Sequence, residues 1–205
     1  VETQSTLTGF KFIGEKIKSF EDGSKNFVFG YEESYGYLIG TEVRDKDAVS
    51  AVMIAVEMAA FYKSQGKTLL DRLEELYQEH GYFLEGLHAI GLAGKEGLEK
   101  ISRIMTYFRE NPVKAIDGIK VKEFMDCHSQ RVTNLEDGSV VSTGLPSSNV
   151  LKFVFENGAW FAARPSGTEP KIKFYFSSFG ETKDTCQSNL ETMKKFVLDL
   201  VDGIE

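Results

Sequence analysis

Three apolar runs between residues 151 and 176, joined by short turns, constrain this chain most. Leu151, Phe153 and Phe155 lead into Glu156-Asn157-Gly158, and Ala159 to Ala163 lead out of it. Asn-Gly between apolar runs is the strongest short-range hairpin signal, because a tight reversal needs positive φ at its centre. The loop Arg164-Pro165-Ser166-Gly167-Thr168 then joins the second run to a third. There Ile172, Phe174 and Phe176 alternate with Lys173, Tyr175 and Ser177, so one face buries and the other meets solvent or ligand. An antiparallel sheet with one apolar face follows, and that face needs helices to cover it.

The flanking sequence supplies them. Cys186, Leu190, Met193, Val197 and Leu200 recur at three- and four-residue steps, which predicts a helix over 183–201. Leu98, Ile101, Ile104, Met105 and Phe108 predict another, ending before Asn111-Pro112. Residues 116–125 read as a strand and 133–149 as turns; Trp160 reads as core. The second half is therefore α+β. In the first half, a short helical patch spans 13–17, and Phe27-Val28-Phe29 reads as a strand delivering the loop Gly30-Tyr31-Glu32-Glu33-Ser34-Tyr35-Gly36. Asp47 caps a predicted helix over 48–64 that Gly66 stops. That helix is apolar on nearly all sides, so it is expected to be buried. Thr68 and Asp71 form a capping-box start for a further helix up to Gly81. Glycines at 81, 86, 91, 94 and 97, with no proline among them, read as a hinge. The expected organisation is 1–85, an 86–97 hinge, and 98–205.

Composition narrows the function classes. A net charge of −7 argues against a general nucleic-acid binder and requires an anionic ligand to be held by a local cluster. Cys127 and Cys186 are too few for a disulfide framework and fit a reducing cytoplasm. No apolar run approaches the roughly 20 residues of a membrane span. His80, His88 and His128 have no metal-ligand spacing.

Two loops carry chemistry. Arg164 offers a planar donor fork, Ser166 and Thr168 offer hydroxyls, and Gly167 lets backbone N–H groups approach an anion. That composition suits a phosphate clamp as well as an ordinary polar hairpin loop. In the other loop, Glu32 and Ser34 face the same way if the segment is extended. A carboxylate accepting from a vicinal diol, beside a serine hydroxyl, can read a sugar; the same residues also suit a solvated acidic loop.

Taken in order, Leu7-Thr8-Gly9-Phe10-Lys11, the 30–36 loop, Val43-Arg44-Asp45-Lys46-Asp47 and the 164–168 loop resemble the C-terminal part of the α-D-phosphohexomutases, the phosphoglucomutase/phosphomannomutase family. The resemblance implies a partial α/β third domain followed by an antiparallel-sheet domain similar to the TATA-binding-protein fold. It implies sugar contacts from Thr8, Gly9, Glu32 and Ser34, and phosphate contacts from Arg164, Ser166, Gly167, Thr168 and Lys173. Lys46 resembles the family lysine near the transferring phosphoryl group, where it serves proton transfer. The family's phosphoserine loop and its Asp-Gly-Asp-x-Asp-Arg magnesium loop do not occur in these 205 residues, and the chain opens at Val1 without methionine. A fragment is therefore expected, inactive by itself. Its parent would isomerise hexose 1- and 6-phosphates with Mg2+ and a hexose 1,6-bisphosphate activator. The parent's N-terminal domains and a phosphosugar are its expected partners, with neither nucleic acid nor membrane, and the incomplete first half offers a surface for self-association. A stand-alone phosphosugar-binding module and a fragment of a pentose phosphomutase are the alternatives.

Overall fold

The computed structural model describes residues 1–32 and 35–204, which divide into two compact units, Val1–Glu75 and Leu76–Glu205. The division falls inside one helix, ahead of the glycine-rich stretch.

In the first unit, α1 (Phe10–Ser19) is followed by a hairpin of β1 (Phe29–Glu32) and β2 (Gly36–Ile39), then by α2 (Ala48–Ser64) and the start of α3 (Leu69–His80). Phe10, Ile13 and Ile17 repeat at helical spacing and bury with Leu38 of the hairpin, against partly buried Phe27. The Asp47 carboxylate accepts from the Val49 N–H and caps α2. Thr68 and Asp71 form the expected capping box: the Thr68 N–H donates to Asp71 Oδ2 (2.7 Å), and the Asp71 N–H donates to Thr68 Oγ1 (3.1 Å). The Thr68 N–H first, and then the Thr68 hydroxyl donating to the same oxygen, hold the Asp71 carboxyl below its usual range. Burial of α2, however, is not found. None of its residues is buried, and Val49, Val52, Met53, Val56 and Phe61 all lie open. The helix forms because its caps and propensities are local, whereas burial needs a partner surface.

The second unit contains β3 (Tyr82–Gly91), α4 (Gly94–Glu110), β4 (Ala115–Ile116), β5 (Ile119–Asp126), β6 (Arg131–Asn134), β7 (Val140–Ser142), β8 (Leu151–Phe155), β9 (Trp160–Pro165), β10 (Lys171–Gly180) and α5 (Lys183–Asp202). Their eight-stranded sheet runs β3-β10-β9-β8-β5-β6-β7, with β4 pairing β5 off that path. All its pairings are antiparallel. α4 and α5 pack on one face through Ile104, Met105, Phe108, Leu190, Met193 and Val197. They meet Leu151, Phe153, Phe161, Phe174 and Phe176 from the strands. The Phe153 and Phe161 rings stack at 4.5 Å between centroids, the offset geometry aromatic quadrupoles favour.

Three expectations need correction. The 86–97 hinge is β3 and the first turn of α4, wholly inside the second unit. β3 pairs along all ten residues with β10, because glycines spaced by alternating apolar residues still satisfy a ladder once a partner strand is present. The turn-rich 133–149 contains β7 and the end of β6. Trp160 is only half-buried; it lies on the sheet face opposite the helices, under the Lys152 ammonium 4.3 Å from its ring.

Candidate functional site

The first unit gathers residues from three separate stretches of sequence around Glu32. Glu32 ends β1 and its side chain is only 7% exposed. A carboxylate this buried needs partners for its lone pairs. Oε1 accepts from the Gly9 N–H at 2.8 Å, and Oε2 lies 3.0 Å from Lys46 Nζ. Gly9 precedes α1 with φ 126°, a conformation L side chains rarely adopt, and so its N–H can turn toward the carboxylate. The Lys46 ammonium also stands 5.5 Å over the Phe10 ring. Its hydrogen bond to Glu32 outweighs the cost of desolvation and holds the ammonium above the ordinary lysine range.

Gly9, Glu32 and Lys46 therefore converge. Thr8 is exposed next to Gly9. Ser34, with Glu33, lies outside the described residues. The arrangement presents one carboxylate with two of its roughly four acceptor positions taken by described residues, beside an ammonium that is half-exposed. It can accept from hydroxyl groups of a neutral ligand and donate to an oxygen of an anionic one.

The second unit holds the other candidates at one end of its sheet. Arg164, next to the end of β9, stands directly opposite Lys173 of β10, so both side chains leave the same face, away from the helices. Tyr175, two residues further along β10, shares that face, and Arg164 Nη1 reaches its hydroxyl at 3.5 Å. Neither Arg164 nor Lys173 takes a carboxylate partner among the described residues. The loop between the strands is closed by the Ser166 N–H donating to the Lys171 carbonyl at 2.8 Å. Ser166 Oγ accepts from the Thr168 and Glu169 N–H groups at 3.4 and 3.3 Å. The Thr168 backbone N–H is thus turned inward, and this loop presents side chains more than backbone donors. Gly167 has open space where a Cβ would stand and no positive φ. Lys171 is neutralised by Glu169 at 2.7 Å.

Sequence reasoning missed Tyr175 as a partner of Arg164. The period-two alternation that placed Lys173 on the open face places Tyr175 there too, which is the signal that could have found it. It also missed Lys152, whose ammonium burial lowers from the ordinary lysine range. No cluster of three or more His, Cys, Asp or Glu side chains among the described residues is placed to hold a metal ion. No described helix is long and apolar enough to cross a membrane.

Comparison with known proteins places both parts of the chain in one family. Residues 1–80 match the family model "Phosphoglucomutase/phosphomannomutase, alpha/beta/alpha domain III", and residues 108–185 match that of the C-terminal domain of the same family. The chain is 45% identical over 177 residues to a phosphoglucomutase of Staphylococcus aureus (strain MSSA476), covering 86% of this chain and 32% of that protein. It is 44% identical over the same length to the phosphoglucomutase of strain N315. Among solved structures, the exocytosis-sensitive phosphoprotein pp63/parafusin of Paramecium, a phosphoglucomutase in an open form, superposes with a TM-score of 0.64 at 22% identity. It covers 95% of this chain and 33% of that one, a likeness of fold. The chain thus spans about a third of the length of the relatives it matches. Two successive domain types of one family, matched in order, give the conclusion that this chain belongs to the phosphoglucomutase/phosphomannomutase family.

Proposed function

We propose that this chain is the substrate-binding portion of a phosphohexomutase that interconverts hexose 1-phosphate and hexose 6-phosphate. In this reading the first unit recognises the sugar and the second holds a phosphate. The convergence of the Gly9 N–H, the Glu32 carboxylate and the Lys46 ammonium, from positions far apart in sequence, carries it. Glu32 accepts from adjacent sugar hydroxyls, and Thr8, Gly9 and Ser34 supply further sugar contacts. Lys46 lies beside the sugar oxygen that gains or loses a phosphoryl group and holds a proton for it. Arg164 binds two phosphate oxygens through its fork, and Lys173 and the Ser166 and Thr168 hydroxyls complete the clamp.

Phosphoryl transfer also requires a positioned nucleophile and charge balance at the phosphate. The sequence lacks the family's phosphoserine and magnesium loops, and no described cluster fits a metal. Mg2+ and the bisphosphate activator belong to the proposal for the whole enzyme. The 205-residue chain is expected to bind glucose 1-phosphate without turning it over. Calorimetric titration of the wild-type chain, Glu32→Gln and Arg164→Ala checks this. Binding weakened by both substitutions supports the reading. Binding indifferent to both, or turnover by the purified chain, sinks it.

A further inference from the structure

Gly36 lies beneath Lys46. It opens β2, directly opposite Glu32 in the hairpin register, and it is buried. A Cβ added at Gly36 would meet Lys46 Cε at 2.4 Å, Cδ at 2.7 Å and Cγ at 2.8 Å, and these are its three nearest atoms. All are closer than carbon atoms approach without displacement. The stem of Lys46 therefore lies across the bare Cα of Gly36, with the ammonium continuing to Glu32 Oε2. The backbone at Gly36 is not in the positive-φ region, so no conformational need explains a glycine there. What an added methyl would have to displace is the lysine stem.

The segment carrying Lys46 is itself fixed. The Asp47 N–H donates to the Tyr37 carbonyl at 2.8 Å, one residue beyond Gly36, and the Lys46 N–H donates to Asp45 Oδ1 at 2.7 Å. With the backbone tied alongside β2, the lysine has a short path to Glu32, and that path crosses Gly36. An obstruction there forces the stem up and moves the ammonium off the carboxylate. Glu32, buried and deprived of one partner, then keeps only the Gly9 N–H among the described residues.

We propose that Gly36 is a positioning residue: by leaving room for the Lys46 stem it sets the ammonium on Glu32, and so fixes the geometry of the group that reads the sugar and carries the proton. The catalytic part of this statement rests on the function proposed above, while the positioning part does not. The two are separated by reading the lysine directly. In the intact 205-residue chain with 13Cε-labelled lysine, Lys46 should titrate above the ordinary lysine range, and in Gly36→Ala its titration should fall back toward that range. Gly91→Ala, where a Cβ meets open space, should leave the Lys46 titration where it was. If the Lys46 titration is the same in Gly36→Ala as in the wild type, the proposal is overturned.

Because Gly36→Ala could unfold the unit, Lys46→Ala and the double variant complete the cycle. If Gly36 acts through the lysine stem, shortening Lys46 removes the obstruction. The double variant should then be as stable as Lys46→Ala alone. Equal losses from Gly36→Ala in both backgrounds would overturn the proposal. Glucose 1-phosphate provides the last arm: Gly36→Ala should weaken its binding about as much as Lys46→Ala does. If the Lys46 titration shifts while binding stays unchanged, Gly36 still positions the lysine and the sugar-site reading fails.

Discussion

The two units solve the same problem with unequal means. In the second, a phenylalanine-rich sheet face closes against two amphipathic helices, and side chains such as Phe108, Phe153, Phe161, Phe174 and Phe176 are almost wholly removed from water. In the first, four buried side chains, Phe10, Ile13, Ile17 and Leu38, make the core among the described residues, while α2 leaves most of its apolar surface open and α3 has no buried residue. Burial of apolar area is the dominant favourable term in folding, at roughly 25 cal/mol per Å². The second unit should therefore be the stable body and the first the marginal one. Yet the better-knit candidate site lies in the marginal unit, where Glu32 is pinned from two sides. The clamp of the stable unit stands on a rigid strand pair but ends in an exposed loop. Precision in the first site comes from a polar network, and in the second from the sheet beneath it.

The difference can be broken most forcefully at the core. Phe161→Ala in the second unit should cost about 3–5 kcal/mol, the range for removing a buried aromatic side chain. The first unit should melt before the second in denaturant, with its amides exchanging faster. A single transition shared by both units, followed by circular dichroism and hydrogen exchange, would erase the contrast.

A smaller effect tests the site on the stable unit. Arg164→Ala should weaken inorganic phosphate binding by about 1.5–3 kcal/mol, the range for a hydrogen bond to a charged group. That is roughly 10- to 150-fold in Kd. The melting temperature of the second unit should be unchanged, because the one side-chain hydrogen bond of this guanidinium among the described residues is a long one to the Tyr175 hydroxyl. Arg164→Lys should restore part of the affinity, since a point charge lacks the fork. Loss of folding in Arg164→Ala would make the residue structural.

Local caps come next. Thr68→Ala removes the hydroxyl that accepts from the Asp71 N–H and should destabilise α3 by about 1 kcal/mol, within the usual range for a capping residue. The loss should be visible by urea denaturation at neutral pH and smaller at acid pH. The folded Asp71 carboxyl is depressed, so its contribution is present above the ordinary aspartate value and disappears as pH falls through the folded one.

The smallest effect sharpens the polar site of the marginal unit. Lys46 is raised by its hydrogen bond to Glu32. Its contribution to stability is complete below the ordinary lysine value of about 10.4 and is lost as pH rises through the higher folded value. The first unit should thus lose stability above about pH 10.4, and Lys46→Met should flatten that loss. A high-pH slope identical in the variant would show that the Lys46–Glu32 contact is unimportant to folding.

Much of this was legible in the sequence because it is local. Helix ends at Asp47, Thr68 and Gly81, the Asn157-Gly158 turn and the alternation from Ile172 to Phe176 are decided by side chains within a few residues of each other. Local chemistry wrote them plainly. Lys173 could likewise be placed on the open face by period alone, whereas Arg164 joins it there only through the β9–β10 register. The sequence did not decide what the glycine-rich 81–97 stretch becomes. Without a partner its glycines read as freedom; paired with β10, residues 82–91 are a strand, and residues 94–97 open α4. Nor could it place the Lys46 ammonium on Glu32 or reveal that Gly36 leaves the room for it, since those contacts join positions separated by turns whose geometry is set elsewhere. It also misjudged α2: an all-round apolar helix signals that burial is wanted, but burial is a property of two surfaces, and a single stretch of sequence specifies only one of them.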